Sequence, residues 1–375
     1  MIVIIIHCFI MLFFRTVCGD RPLFTGIARR YRMSRVWGQA GLFRLRLRIL
    51  VDTFKWNNPA ILRGLLFVSL VVLTVLSIAT GVQDFSLAGF LSGNDEDRFI
   101  GLISRIPRTL AIIIAGTGLS ISGLIMQTLT NNKFVSPSTA GTLAWCRFGV
   151  MLAILFAAGA PTWMRVSVAF VVSLAGTFCF IGLLQHMRFK NVFMVPLVGI
   201  MLGNVVSAIT IFIAYRYDII QNITSWLQGN FSLIMKGNYE LLYLGLPCVA
   251  ISWLYASRFT IAGMGDTLAI SLGENPHRIM LLGLSIVAFT TSLIVVTVGS
   301  IPFVGLIIPN IISMLRGDNL KGTLPDTALL GSVFLLACDL AGRTVINPYE
   351  VNISVVVGIV GSIVFLALLF WRKRP

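Results

Sequence analysis

Residues 279–315 read IMLLGLSIVAFTTSLIVVTVGSIPFVGLIIPNIISML, which is 37 residues without a charged side chain. A single helix of that length would be roughly 55 Å long at 1.5 Å per residue, nearly twice the ~30 Å hydrocarbon thickness of a bilayer. Gly299 and Pro302 interrupt it, and both punctuate helices. Two membrane passes joined by a tight turn is therefore the expected reading.

The same pattern extends in both directions. Nearly uncharged segments occur at about 64–82, 106–127, 134–160, 164–185, 191–214, 239–257, 327–342 and 351–371. With the two passes in 279–315, they predict an all-α membrane protein of about ten transmembrane helices. Composition agrees. Of 375 residues, 57% are hydrophobic and 11% charged, with a mean hydropathy of +0.92. About a quarter of an ordinary soluble domain is charged, so a soluble enzyme, a disordered chain and a disulfide-stapled secreted module are all excluded.

The net charge of +15 is unevenly placed. Residues 1–63 hold eleven basic side chains against Asp20 and Asp52, leaving +6 for the other 312 residues. High basicity here marks a stretch before the first span, not a nucleic-acid partner, and the positive-inside rule assigns that stretch to the cytoplasm. Residues 1–57 are expected to be a basic N-terminal extension, partly unstructured or untranslated, with 58–375 as the membrane domain. Met1 and Met33 both serve as possible starts. An even number of spans puts both termini on one side. Lys133, Arg258, Arg278, Arg316 and Lys321 then fall in cytoplasmic loops, and Asp95, Glu96, Asp97, Asp218, Glu240 and Glu350 fall outside. Three arginines, Arg105, Arg108 and Arg343, run against this trend.

Several chemistries are missing from the pattern. No G-x-x-x-x-G-K-[ST] loop occurs, and His7, His186 and His277 lack metal-ligand spacing. The six cysteines are scattered without a C-x-x-C pair. Ionisable residues inside the spans are nearly limited to Arg147 and Asp339, where an ion-coupled carrier needs several. The chain is expected to be a conduit driven from elsewhere, with no catalytic residues, cofactor or metal of its own.

Arg105-Ile106-Pro107-Arg108-Thr109, followed by Gly116, Gly118, Ser122-Gly123 and Gln127, resembles the second-span signature of the FecCD/BtuC-like permease family of ABC importers, which take up iron-siderophores and vitamin B12. Asn131-Asn132-Lys133-Phe134-Val135-Ser136-Pro137 and Thr139-Ala140-Gly141-Thr142 continue the likeness, as do Gly299 to Asn310, Arg316-Gly317-Asp318-Asn319, Leu324-Pro325, Asp339 with Arg343, and Pro348-Tyr349-Glu350. Together these motifs cover about residues 61–371. Lys133 replaces a proline common in the family and Asn310 a histidine. Both departures resemble the subset importing ferric siderophores, catecholate types among them. Haem or vitamin B12 import by the same family is the alternative within this class. A stand-alone secondary carrier and a non-transporting scaffold are alternatives outside it.

The resemblance implies the type II ABC importer architecture in a bacterial inner membrane. A second permease, identical or related, would complete the pathway, two cytoplasmic ABC ATPases would drive it, and an extracytoplasmic siderophore-binding protein would deliver cargo. It also implies roles for residues. Arg105, Arg108 and Arg343 would meet acidic groups on the binding protein, although Arg343 also stands four residues from Asp339 on one helix face. The loop with Gly265, Asp266, Leu268, Ala269, Leu272, Gly273 and Glu274 would form a short amphipathic lever seated in an ATPase. Gly199, Gly203, Asn204 and Ser207 of the uncharged fifth span are candidates for lining the pathway. Trp226 belongs to a short helix near the outer mouth, and Pro309 and Asn310 are gate candidates. Arg147 either lines the pathway, snorkels toward the inner surface or makes a structural bond.

Overall fold

A computed structural model describes residues 59–81, 89–90, 95–186, 194–346 and 349–372. The extension at 1–57, Arg188, Lys190 and Pro348 lie outside them. Contacts divide the chain into Leu66–Ser362 and a unit of the two ends.

The described residues are helical, without a strand. The helices are α1 (Pro59–Ala79), α2 (Asp95–Ile100), α3 (Ile106–Leu129), α4 (Thr142–Phe156), α5 (Thr162–His186), α6 (Met194–Arg216), α7 (Ile220–Leu227), α8 (Gly245–Leu254), α9 (Ala256–Gly263), α10 (Asp266–Ser271), α11 (Pro276–Val298), α12 (Val304–Arg316), α13 (Leu320–Thr344) and α14 (Ile353–Arg372). Six qualify as spans by length and composition. The pair α8 and α9, bent by 61°, makes a seventh, and α4, α12 and Ile353–Leu369 of α14 are shorter apolar helices. Length alone therefore does not deliver the ten spans expected.

The uncharged stretch breaks where its glycine and proline foretell, but its second piece, Val304–Arg316, has 13 residues and is shorter than a candidate span. Gly299 has φ +100°, a conformation that disfavours side chains, and helix resumes at Val304. The second span begins earlier than expected. Asp95–Leu129 is one helical run of 35 residues, because a π-helical turn at Gly101–Arg105 links α2 to α3. At that turn the Ile103 carbonyl accepts from the Lys236 amide at 3.0 Å.

α3 is the axis of the bundle and packs against α11, α12 and α13. Apolar burial does not drive helices together in lipid, so close backbone approach must. A Cβ on Gly123 would lie 1.8 Å from the Gly305 carbonyl oxygen of α12, so any larger residue would force the helices apart. Pro309 lacks the amide that would serve the Gly305 carbonyl four residues earlier. Gln127 of α3 supplies donors instead, at 3.4 Å to Gly305 O and 3.0 Å to Leu306 O. Buried hydroxyls largely turn back on their own helix, as Thr290 does to Ile286 and Thr327 to Thr323.

Candidate functional site

The three arginines set apart by charge come together at one end of the bundle. The π turn and the first turn of α3 carry Arg105 and Arg108, and the last turns of α13 carry Asp339 and Arg343. Arg108 donates to Asp339 Oδ1 at 2.9 Å and to both oxygens of Glu350, at 3.1 and 2.8 Å. Arg343 also donates to Asp339, and reaches the Ser77 and Thr80 carbonyls at 3.0 and 3.1 Å. Arg105 donates to the Thr80 carbonyl as well, so the end of α1 is held by two guanidiniums. The Ser77 and Thr109 hydroxyls pair at 3.0 Å.

This arrangement changes what the arginines present. Arg105 and Arg343 are each 7% exposed and committed to neighbours inside the chain. Arg108 is the one joined to a more accessible carboxylate, since the Glu350 side chain is 21% exposed. Burial pushes the Glu350 pKa up, but the Ser232 hydroxyl and the Arg108 guanidinium outweigh it and hold Glu350 below the usual carboxylate range.

The opposite end gathers the loops. Gly263 of α9 sits on Thr128 near the end of α3, and the Leu320 amide reaches the Thr260 hydroxyl at 3.2 Å. Between Gly265, at φ +115°, and Gly273, at φ +79°, α10 buries Ala269 completely and exposes Leu268 (50%) and Ile270, with Leu272 exposed just past its end. Arg258 lies 3.3 Å from Glu274 and stacks over the Tyr255 ring. This is a short helix with its apolar side turned out.

The two positions that depart from the family pattern meet here. The Asn310 amide donates to the Lys133 carbonyl at 2.8 Å and to Leu306 O at 2.8 Å. Lys133 Nζ reaches Ser313 Oγ at 2.8 Å and pairs with Asp318. The neighbouring pair of Arg316 with Asp326 is more enclosed, with Asp326 fully buried.

The pathway candidates separate. Gly199 and Gly203 are buried against α4, where Gly141 and Ala144 meet them, so they serve packing. Asn204 is exposed and Ser207 half-buried. Trp226 on α7 donates from its indole nitrogen to the Val296 carbonyl at 2.9 Å, anchoring that short helix to α11. Pro309 is buried in α12. Among the described residues no group of three or more His, Cys, Asp or Glu side chains gathers.

The chain is thus a bundle of membrane-length apolar helices with an ion-pair cluster at one end and a short helix with an exposed apolar face at the other. The FecCD transport family matches residues 65–371, and the chain belongs to that family, whose members are permeases of ABC importers. It is 50% identical over 308 residues to the petrobactin import system permease protein YclN of Bacillus subtilis, covering 82% of this chain and 98% of that one. It is 39% identical over 268 residues to the ferric-anguibactin transport system permease protein FatD of Vibrio anguillarum, covering 72% and 85%. A solved inward-facing conformation of a metal-chelate type ABC transporter superposes with a TM-score of 0.73 at 27% identity, over 84% of this chain and 99% of that one.

Proposed function

We propose that this chain is the membrane permease of an ATP-driven importer of ferric siderophores. Half-identity with a petrobactin import permease over nearly that protein's whole length carries the reading. Iron is cargo here and stays inside its chelate, so the pathway needs no ligand set of its own. ATP is hydrolysed on two separate cytoplasmic chains, and a second permease, identical or related, completes the channel. The chain lies in the bacterial inner membrane. The loops holding Lys133, Arg258, Arg278, Arg316 and Lys321 face the cytoplasm, as do both termini. Residues 58–375 act as the membrane domain behind a basic extension.

The arginine cluster then lies outside, where a siderophore-binding protein docks. Its five charged side chains carry one positive charge in excess, which favours an acidic partner. Arg108 is the group that engages that partner, in exchange for Glu350, while Arg105 and Arg343 hold the end of α1 that supports it. On the inner side Leu268, Ile270 and Leu272 enter an ATPase groove, and α10, set off between Gly265 and Gly273, transmits its closure.

A deletion strain tests this. Cells lacking the gene should lose uptake of iron supplied as a ferric catecholate siderophore and regain it with the gene restored. Undiminished uptake of that chelate, with loss of haem or vitamin B12 uptake instead, overturns the substrate class.

A further inference from the structure

α4 is enclosed on nearly every side. Trp145 and Gly149 press on α5, where a Cβ at Gly176 would lie 2.0 Å from the Trp145 ring. Cys146 is fully buried and looks toward Ser292 of α11. Gly141 and Ala144 meet α6, and Val150 and Met151 are buried in the apolar cluster that includes Ile223 and Leu227 of α7. Within α4 only Arg147 and the terminal Phe156 are exposed. Arg147 makes no hydrogen bond or ion pair among the described residues.

The contacts fix where that guanidinium stands. At about 100° per residue, Arg147 lies roughly a quarter-turn from the α6 contact and opposite the α5 contact. Ala144 against Gly203 sets Arg147, one turn further, level with Val206 and Ser207. The side of α6 turned in the same direction carries Asn204, exposed, and Ser207, half-buried. A charge left facing hydrocarbon is expensive, and such residues are retained where they face water or a partner. Asn204 and Ser207 give Arg147 polar neighbours on the adjoining helix, among the exposed Ile200 and Ile211, with α7 crossing beyond.

We propose that Arg147 is the charge-recognising group of the translocation pathway, touching the ferric chelate in transit and favouring net-negative chelates over neutral ones. The proposal rests on the permease reading above. Iron(III) held by catecholate or hydroxycarboxylate oxygens carries surplus negative charge on its rim, whereas a ferric trihydroxamate is neutral. A guanidinium offers paired donors to such oxygens. A single cation beside water holds the cargo without trapping it, as transit requires.

The test uses the assembled importer, with its ATPases and binding protein, in proteoliposomes. One charge-assisted hydrogen bond corresponds to about a ten-fold effect. Arg147→Gln should therefore slow import of a ferric tris-catecholate about ten-fold, with basal ATP hydrolysis unchanged, and Arg147→Lys should restore most of the rate. Parental import by Arg147→Gln, or equal damage from Arg147→Lys, overturns the proposal. If the parental importer moves no ferric siderophore, the permease reading itself has failed. Should Arg147→Gln assemble poorly, Arg147→Cys gives an independent readout. Its thiol should react with a charged methanethiosulfonate and be protected by the ferric tris-catecholate. A thiol shielded from the reagent with and without chelate shows a lipid-facing position and overturns the proposal.

Discussion

Replacing Asp339 with asparagine should be among the most damaging single changes of charge in this protein. The Asp339 side chain is 3% exposed and is shared by Arg108 at 2.9 Å and by Arg343, whose own side chain is 4% exposed. Asparagine keeps one acceptor oxygen but removes the charge. Arg343 is then left with backbone carbonyls and the Ser77 hydroxyl, and Arg108 with Glu350 alone. Breaking a buried ion pair from one side costs about 3–5 kcal/mol, and the retained oxygen places this variant near 3 kcal/mol. Glu350→Gln should cost only about 1 kcal/mol, because that carboxylate is partly solvated. Exchanging both members of the inner pair, Asp339→Leu with Arg343→Met, should recover much of the loss, since two charges leave the interior together. Thermal unfolding of the detergent-solubilised protein, followed by intrinsic tryptophan fluorescence, measures all four forms. Asp339→Asn should lower Tm by about 5 °C. A shift below about 1 °C, or a larger effect from Glu350→Gln, would show that Asp339 is not the hub.

Other expectations follow from the same geometry. Glu350 is held below its usual range in the folded chain, so its stabilisation is present above about pH 4.3 and fades as pH falls through the lower folded value. The parent should therefore lose stability on acidification below pH ~4 more steeply than Glu350→Gln, and parallel melting curves against pH would count against the assignment. Leu268→Asp puts a charge into the exposed face of α10 and should uncouple ATP hydrolysis from uptake without lowering membrane content; coupled uptake at the parental rate would exclude α10 as the lever. Gly123→Val should prevent the close crossing of α3 and α12, giving protein that aggregates on solubilisation, and a monodisperse elution profile would contradict it. Lys133→Ala breaks a pair whose Asp318 partner is 68% exposed and should change Tm little, because exposed pairs contribute about 0–1 kcal/mol.

The sequence is most informative where the physics is local. An uncharged run too long for the bilayer, broken by Gly299 and Pro302, yields α11 and α12 without reference to the rest of the chain. The Arg343 and Asp339 contact likewise follows from four-residue spacing. The Arg108 contacts with Asp339 and Glu350 could not be read that way, since they join residues 231 and 242 positions apart. Their one signal is charge of the wrong sign for its side, which flags the arginines without naming their partners. The early start of the second span is hidden for a similar reason. Asp95, Glu96, Asp97 and Arg98 look like a loop by hydropathy, yet they open a helix whose first turn suits acidic residues. Gly199 and Gly203 show the reverse problem: a small-residue face reads equally as a channel wall or a packing seam, and only the Gly141 contact distinguishes them.

Import by purified components separates an ATP-driven permease from a self-sufficient carrier. The chain, reconstituted with its partner permease, ATPases and binding protein, should accumulate ferric siderophore in vesicles only when ATP is supplied. The chain alone, given a proton or sodium gradient, should accumulate none. Uphill movement of the chelate by the chain alone on an ion gradient would mark it as a secondary carrier instead.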